Sequence, residues 1–247
     1  MIRFLILMTV FLTTSCHNKT EKSIQQISNE TSNISINDQL DTYFYDYEIK
    51  PLIIVNNTES KQTLINLGKH KIEWLDTTEE TKIKIDDDLF TLKDKLTLNT
   101  VLGHKDSVDF ANNWDEIKLF AYNRRELIGI RMSYNPCVGS GCSLDYFLIY
   151  DLKSKTKNFF GQFRIDRKMA LYHFDNELSY VSKTYRESAN DFKVEYIYEL
   201  FSVDEKGQFN KKKNSNGLTY QIKYITFLDD DTIRKEILEQ NWIQKIK

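Results

Sequence analysis

The chain has 247 residues, of which 40% are hydrophobic, 28% charged and 13% aromatic, so it is long enough to bury a core. This composition excludes a disordered chain, a collagen-like repeat and a membrane protein with many spans. The 34 basic and 36 acidic residues nearly cancel, which gives no electrostatic reason to expect a nucleic-acid partner. The 14 Tyr and 15 Phe favour β structure.

The N-terminal segment, residues 1–15, has the pattern of a signal peptide. Arg3 provides a positive start, residues 4–12 are apolar, and small polar residues follow up to Ser15. A helix needs about 20 apolar residues to span a bilayer, and this run is roughly half as long. We therefore predict export and removal of residues 1–15 rather than a lasting anchor helix, with an ordinary secretory signal as the alternative.

The end of this segment, Leu12-Thr-Thr-Ser-Cys16, resembles the lipobox of bacterial lipoproteins, although Thr13 stands where that family prefers an aliphatic residue. The resemblance implies that Cys16 receives a diacylglyceryl group, becomes the new N-terminus and is acylated there, for example with palmitate. It therefore implies a lipid-anchored protein of the bacterial cell envelope. His17 rather than Asp follows the cysteine, which favours the outer membrane and leaves the periplasmic or surface face open.

The stretch that follows, residues 16–41, is rich in Ser, Asn, Thr and Gln and has no sustained hydrophobic period. Such a sequence buries too little apolar surface to offset the entropy of ordering, so we predict a flexible tether. Residues 42–247 are predicted to form a single β-rich domain, with a sub-boundary near residues 101–113, where the pattern loosens.

In the folded part, short alternating runs are separated by polar turns at intervals of about ten residues, which predicts an antiparallel meander of hairpins. A curved sheet, a sandwich, a small barrel and a propeller-like arrangement all stay open. A βαβ rhythm is absent, which argues against a nucleotide-binding doubly wound sheet. The predicted strands are residues 42–49, 52–55, 63–67, 71–75, 81–85, 89–98, 116–122, 126–134, 144–150, 158–165, 169–174, 178–184, 193–203, 208–210 and 218–228.

Two segments of the folded part carry more specific patterns. Residues 146–163, YFLIYDLKSKTKNFFGQF, resemble the outer hairpin of a β-propeller blade, in which a strand ending in Tyr-Asp turns through a polar loop. The resemblance covers this one hairpin, and the chain has no blade-length repeat. The C-terminus differs, because residues at roughly helical spacing after Asp230-Asp231 predict a helix. Those residues are Ile233, Ile237, Trp242, Ile243 and Ile246.

The chain has three cysteines, and the assignment of Cys16 to lipid leaves Cys137 and Cys142 as a pair. Gly139 and Gly141 give the loop between them the freedom to turn. We predict a disulfide that stabilises the fold by roughly 2 kcal/mol in an oxidising compartment. A zinc site lacks further nearby ligands, and the spacing excludes a redox pair of the C-x-x-C kind. An anion-binding nest of backbone N–H groups around Ser140 stays open.

The histidines provide a candidate acid–base pair. Residues i and i+2 of a strand lie on one face, so His173 and Asp175 could act as a base and its orienting carboxylate. Asp175 also stands where a hairpin turn is predicted, a common position for Asp. His104-Lys-Asp106 has the same spacing but is interpreted as a polar loop. The motifs of a nucleophile elbow, a zinc protease, a P-loop and a dinucleotide site are all absent.

Three other features have an ordinary structural interpretation beside a functional one. The acidic triplets at residues 86–88 and 229–231 suit Ca²⁺ ligands, but turns and helix caps explain them adequately. Lysines 211–213 suit acidic lipid headgroups or simple solvation. Tyr196 and Tyr198 share one face of a strand and suit stacking on sugars or packing in the core. We prefer the structural interpretation for each feature.

These observations favour a membrane-anchored module that acts by binding or assembly rather than catalysis. Its expected contact surface is the Cys137–Cys142 loop with the neighbouring sheet edge, and its expected partner is an envelope protein or a glycan. No cofactor and no metal ion are expected. An envelope hydrolase with a site around His173 and Asp175 is one alternative, and a purely structural lipoprotein is the other.

Overall fold

The computed structural model describes residues 24–25, 36–57, 63–76, 81–91, 98–99, 105–106, 114–134, 144–163, 169–188, 193–229 and 233–242. These residues form antiparallel sheets and one short helix, which confirms the mainly β fold class. In chain order the elements are β1 (Ile24–Gln25), α1 (Ile36–Asp46), β2 (Ile53–Asn56), β3 (Leu64–Leu67), β4 (His70–Asp76), β5 (Thr81–Ile85), β6 (Asp88–Thr91), β7 (Leu98–Asn99), β8 (Lys105–Asp106), β9 (Trp114–Tyr122), β10 (Arg125–Tyr134), β11 (Leu144–Asp151), β12 (Thr156–Phe163), β13 (Tyr172–Phe174), β14 (Glu177–Ser188), β15 (Lys193–Val203), β16 (Phe209–Lys211), β17 (Gln221–Asp229) and β18 (Ile233–Gln240).

Apart from β1 and β2, the strands of three sheets follow one another along the chain. The first sheet has the order β3-β4-β5-β6, and the central sheet has the order β12-β11-β10-β9-β2. The C-terminal sheet has the order β1-β18-β17-β15-β14-β13, with β16 also beside β15, and β7 pairs with β8 in a separate ribbon. In none of the described sheets does the first strand pair with the last, so none of them closes into a barrel.

Turn chemistry explains why the chain reverses between these strands. Asn123 and Arg124 take φ values of 46° and 63° between β9 and β10. Asp175 and Asn176 do the same between β13 and β14, at 52° and 61°. Two consecutive residues with positive φ match the twist of the flanking strands, and Asn and Asp tolerate this conformation. The hairpins predicted at both places are therefore confirmed.

The central sheet is buried on both faces, because its strands alternate between two hydrophobic cores. Ile128 and Ile130 pack with Trp74 and other side chains of the first sheet. Leu127, on the opposite face, packs with Tyr180 of the C-terminal sheet. A third core lies between the far face of the C-terminal sheet and α1. The layers are thus the first sheet, the central sheet, the C-terminal sheet and the helix.

The prediction of a strand at residues 42–49 is wrong, since most of this segment is helical in α1. Alternating aromatic residues favoured a strand, but the same residues also lie three and four positions apart, which suits one face of a helix. That face carries Leu40, Tyr43, Phe44 and Tyr47 and packs on the C-terminal sheet. The helix begins within the segment predicted as a tether, and Leu40 is fully buried.

The predicted C-terminal helix is also wrong, because Ile233–Gln240 is strand β18 and pairs with β17. A spacing of four residues, as between Ile233 and Ile237, fits one face of a strand as well as one face of a helix. Trp242 packs against Phe44 and Phe174, while Ile243 and Ile246 lie outside the described residues. The predicted strand at residues 89–98 is divided between β6 and β7, which belong to different sheets. The other predicted strands are present wherever the structure describes them, with ends that differ by a few residues.

Candidate functional site

The predicted cysteine sites, Cys16, Cys137 and Cys142, lie outside the described residues, as do His17 and His104. Lipidation of Cys16 and the Cys137–Cys142 disulfide therefore stay predictions. The described strands on either side do fix where the predicted loop begins and ends. Residues 135–143 connect β10 to β11, two neighbouring strands of the central sheet.

The proposed acid–base residues have separate neighbours. The ring of His173 lies between those of Tyr47 and Tyr122, with centroid distances of 6.0 and 6.4 Å. Asp175 is in the turn after β13, and its carboxylate lies 3.0 Å from Lys212 Nζ. Burial opposes the charged form of Lys212, but hydrogen bonds to Asp175 and Glu177 raise its pKa above the usual value. The carboxylate assigned to His173 by the hydrolase hypothesis is thus paired with Lys212.

The rings considered for sugar binding belong to the core. Tyr198 is fully buried, and Tyr196 stacks on Tyr224 at a centroid distance of 5.7 Å. Lys211, in the predicted basic loop, lies 2.8 Å from Glu199. The packing interpretation is therefore correct for the tyrosines, and at least two of the three lysines pair with carboxylates of the protein.

The first acidic triplet binds protein groups. Asp86 Oδ2 lies 2.7 Å from His70 Nδ1, and Asp88 Oδ2 lies 2.6 Å from Lys157 Nζ. Tyr150 donates a hydrogen bond to Asp88 at 3.0 Å. Burial opposes the charged form of Asp88, but the bonds from Lys157 and Tyr150 hold its pKa below the usual value. Within the described residues, no cluster of three or more His, Cys, Asp or Glu side chains is arranged as a metal site.

The strand β2 forms an edge of the central sheet and carries an exposed apolar side chain. Ile53 and Val55 pack against the core shared with the first sheet. Ile54 faces the other way and is 50% exposed, and Leu52, just before the strand, is 62% exposed. Among the described residues, no strand pairs with the outer side of β2.

The hydrogen-bond pattern shows which backbone groups of β2 are turned outward. The N–H of Asn57 donates to the carbonyl of Asp115 on β9 at 2.9 Å. Backbone groups alternate between the two sides of a strand, so Ile53 and Val55 also face β9. The N–H and C=O groups of Ile54 and Asn56 therefore face away from the sheet. An outward row of this kind is a template for another strand.

Charged side chains lie behind this edge on the same face of the central sheet. Lys118, opposite Ile54, is almost fully buried, and its Nζ lies 2.8 Å from Glu116 and 2.9 Å from the carbonyl of Met169. Arg131 lies 3.7 Å from Asp145, the second residue after the 135–143 loop. We name the surface formed by Leu52, Ile54, Glu116 and Arg131 the edge surface; Lys118 and Asp145 are buried beside it.

Sequence reasoning did not single out these charged residues. Lys118 stands between Ile117 and Leu119 in an otherwise apolar run, and Asp145 begins a strongly apolar strand. A charged side chain at an inward position of such a strand is rarely buried without a partner. A charged residue within an apolar run therefore indicates a buried ion pair or hydrogen bond. The partners of Lys118 and Asp145 could not be assigned from the sequence, because they depend on how β9, β10 and β11 pair.

Comparison of the chain with family models, curated proteins and solved structures gave no match. The function must therefore be argued from the edge surface and the N-terminal sequence. None of the described helical residues forms a segment with the length and apolar character that a bilayer crossing requires.

Proposed function

We propose that the protein is a lipid-anchored module of the bacterial cell envelope that binds an extended segment of an envelope protein along the edge surface. The signal-peptide pattern and the lipobox resemblance at Cys16 support the anchoring. One observation carries the binding role: the open edge of β2, where Ile54 combines an exposed side chain with outward backbone groups. Residues 135–143, which contain the predicted Cys137–Cys142 disulfide, connect two strands of the same sheet.

The chemistry of this edge favours a polypeptide over a glycan. An added strand gains hydrogen bonds from the backbone groups of Ile54 and Asn56, and its alternate side chains contact Leu52 and Ile54. Sugar binding commonly uses exposed aromatic faces, whereas Tyr196 and Tyr198 pack in the core. The edge is short and follows Pro51, features that limit indiscriminate pairing between edge strands.

The binding role is tested by photo-crosslinking in intact envelopes. A photoreactive residue at position 54 is compared with one at Leu218, which is also 50% exposed but lies in a turn of the C-terminal sheet. We expect a protein crosslink at position 54 that is absent at position 218. Equal crosslinking at the two positions would contradict the proposal.

A second variant separates strand addition from simple apolar contact. Asn56→Pro removes an outward N–H without removing a bond to β9, so the fold should be retained. The crosslink from position 54 should then fall at least about fivefold, because an added strand loses its partner at Asn56. A crosslink unchanged by Asn56→Pro would show that the partner does not add as a strand.

The anchoring is tested separately with Cys16→Ala. Several acyl chains bind stably, since each buried methylene contributes about 0.8 kcal/mol. The unchanged chain should stay with the membrane fraction after a high-salt wash, and the variant should be released. A Cys16→Ala protein that stays with the washed membranes would contradict the lipid anchor.

A further inference from the structure

The N-terminal strand β1 covers part of the outer edge of the C-terminal sheet. Ile24 pairs with Glu239 and Gln25 pairs with Leu238, in antiparallel register. On its other side β18 pairs with β17, so β1 is the outermost strand that the structure describes in this sheet. The backbone at residues 24–25 is therefore attached to the sheet, although it lies within the segment predicted to be a flexible tether.

This attachment limits the distance between Cys16 and the sheet. Cys16 stands eight positions before Ile24, and an extended chain spans about 3.3 Å per residue, so the limit is about 26 Å. If the chain were first attached at Ile36, where α1 begins, twenty positions would separate the two residues and the limit would be about 66 Å. The pairing of β1 thus shortens the reach of the N-terminal segment by more than half.

The edge surface lies at the opposite end of the C-terminal sheet from β1. That end is β13, and Tyr122 at the end of β9 stacks on His173 of β13. Lys118, which is buried beside the edge surface, donates to the carbonyl of Met169 just before β13. Five strand spacings of about 4.8 Å separate β1 from β13, which corresponds to about 24 Å. The chain therefore enters the fold on the side away from the edge surface.

We infer that β1 is a strap that holds the anchored N-terminus beside β18 and across the sheet from the edge surface; this inference rests on the lipid anchor of the proposed function. The strap is held by two paired positions, whereas β17 and β18 share eight. A pairing this short is marginal by itself, so the strap can open while the rest of the sheet persists. A closed strap keeps the sheet close to the anchored residue, and an open strap lengthens the connection to residues 16–36.

The test measures the distance from residue 16 to the sheet within one molecule. The full chain carries a donor dye at position 16 and an acceptor dye at Leu218, which is exposed and precedes β17 at the end of the sheet where β1 pairs. Ile24→Pro combined with Gln25→Pro removes both N–H groups of β1 and should open the strap. Flexible chains of eight and twenty residues average about 16 Å and 25 Å from end to end, so the mean distance between the dyes should rise by at least about half.

The matched control is Thr20→Pro combined with Glu21→Pro, which adds two prolines before β1 and leaves its pairing intact. The control should keep the parent distance. An equal distance in the parent chain and the β1 variant, or an equal increase in the control, would overturn the inference. The measurement involves no lipid, so it can fail while Cys16→Ala still confirms the anchor, and the anchor can fail while the strap is confirmed.

Amide hydrogen exchange of the parent chain keeps the inference testable if the β1 variant does not fold. Alternate N–H groups of β18 face outward, away from β17. The outward N–H within residues 238–239 should exchange at least about tenfold more slowly than the outward N–H groups of residues 234–237, because β1 covers only the former. Equal exchange rates, corrected for intrinsic rates, would overturn the inference.

Discussion

The two faces of the central sheet are joined to their neighbours by different polar chemistry. Toward the first sheet, the contacts are ionisable side chains: Lys69 and His70 with Glu126, and Lys157 and Tyr150 with Asp88. Toward the C-terminal sheet, the side chains of Asn158, Thr156 and Arg125 form hydrogen bonds with backbone groups of residues 205–209. Both faces also bury large apolar cores.

The contact toward the C-terminal sheet is centred on Asn158 of β12. Its Nδ2 donates to the Gly207 carbonyl at 2.9 Å, and its Oδ1 accepts from the Phe209 N–H at 2.9 Å. Thr156 donates to the Lys206 carbonyl at 2.6 Å, and Arg125 lies 3.4 Å from the Glu205 carbonyl. None of these donors or acceptors changes its charge near neutral pH.

Similar hydrophobic layers can therefore respond differently to pH. One interface depends on carboxylate charges that vanish as the pH falls, whereas the other keeps its hydrogen bonds. We therefore expect the first sheet to be the layer whose local stability follows pH.

Asn158→Ala should destabilise the protein by about 3 kcal/mol, because it leaves buried backbone groups of Gly207 and Phe209 without a partner. This loss should be the same at pH values from about 5 to about 8, since no titrating group is involved. Urea unfolding measures it. Asn210→Ala is the control, as Asn210 is exposed and should cost less than about 0.5 kcal/mol. If the destabilisation by Asn158→Ala depended strongly on pH, the two faces of the central sheet would not differ as described.

Gly207→Ala should cost about 2 kcal/mol. Gly207 has a φ of 80°, and an added Cβ would meet Ser154 Oγ and lie 3.0 Å from Asp151 Cγ. Gly217 has a similar φ of 76° but nothing near its Cβ position, so Gly217→Ala isolates the backbone cost of about 1 kcal/mol. Equal losses in thermal or urea unfolding would mean that the two sheets are not packed this closely at Gly207.

Asp88→Asn should cost about 1 kcal/mol at neutral pH, since it removes a charge paired with Lys157. The folded state lowers the pKa of Asp88, so its contribution is complete above the unfolded value of about 4 and disappears as the pH falls through the folded value. The difference in unfolding free energy should therefore vanish in acid. Asp87→Asn, at the exposed neighbour, should stay within about 0.5 kcal/mol throughout. If Asp88→Asn still lowered the free energy of unfolding in acid, the packing of the Asp88 side chain rather than its charge would stabilise the contact.

Most strands were predictable because they combine alternation with turn residues that tolerate positive φ, as at Asn123 and Asp175. The two errors, α1 and β18, occur where the residue spacing fits both a helix and a strand. In both segments, the elements that pack or pair with them determine whether a helix or a strand forms, and these elements are distant in sequence. β18 is a strand because β17 supplies its hydrogen bonds.

The candidate site was less accessible from sequence than the fold. The position of β2 at the edge of the central sheet depends on its pairing with β9, a strand that is distant in sequence. His70 was visible only as a histidine at the start of a strand, since Asp86 and Glu126 approach it through two different turns. The His173–Asp175 pairing was a local inference, and a partner from another hairpin, Lys212, takes the carboxylate.

The most direct test of the comparison is amide hydrogen exchange at about pH 3.5, 5.5 and 8, corrected for intrinsic rates. Protection in β4 and β5 should be lowest at about pH 3.5 and similar at the two higher values, because the folded state lowers the pKa of Asp86, Asp88 and Glu126 and their contribution falls below the unfolded values near 4. Protection in β15 and β16, relative to global stability, should stay constant. The same pH profile in both sheets, or a flat profile in the first sheet, would contradict this account.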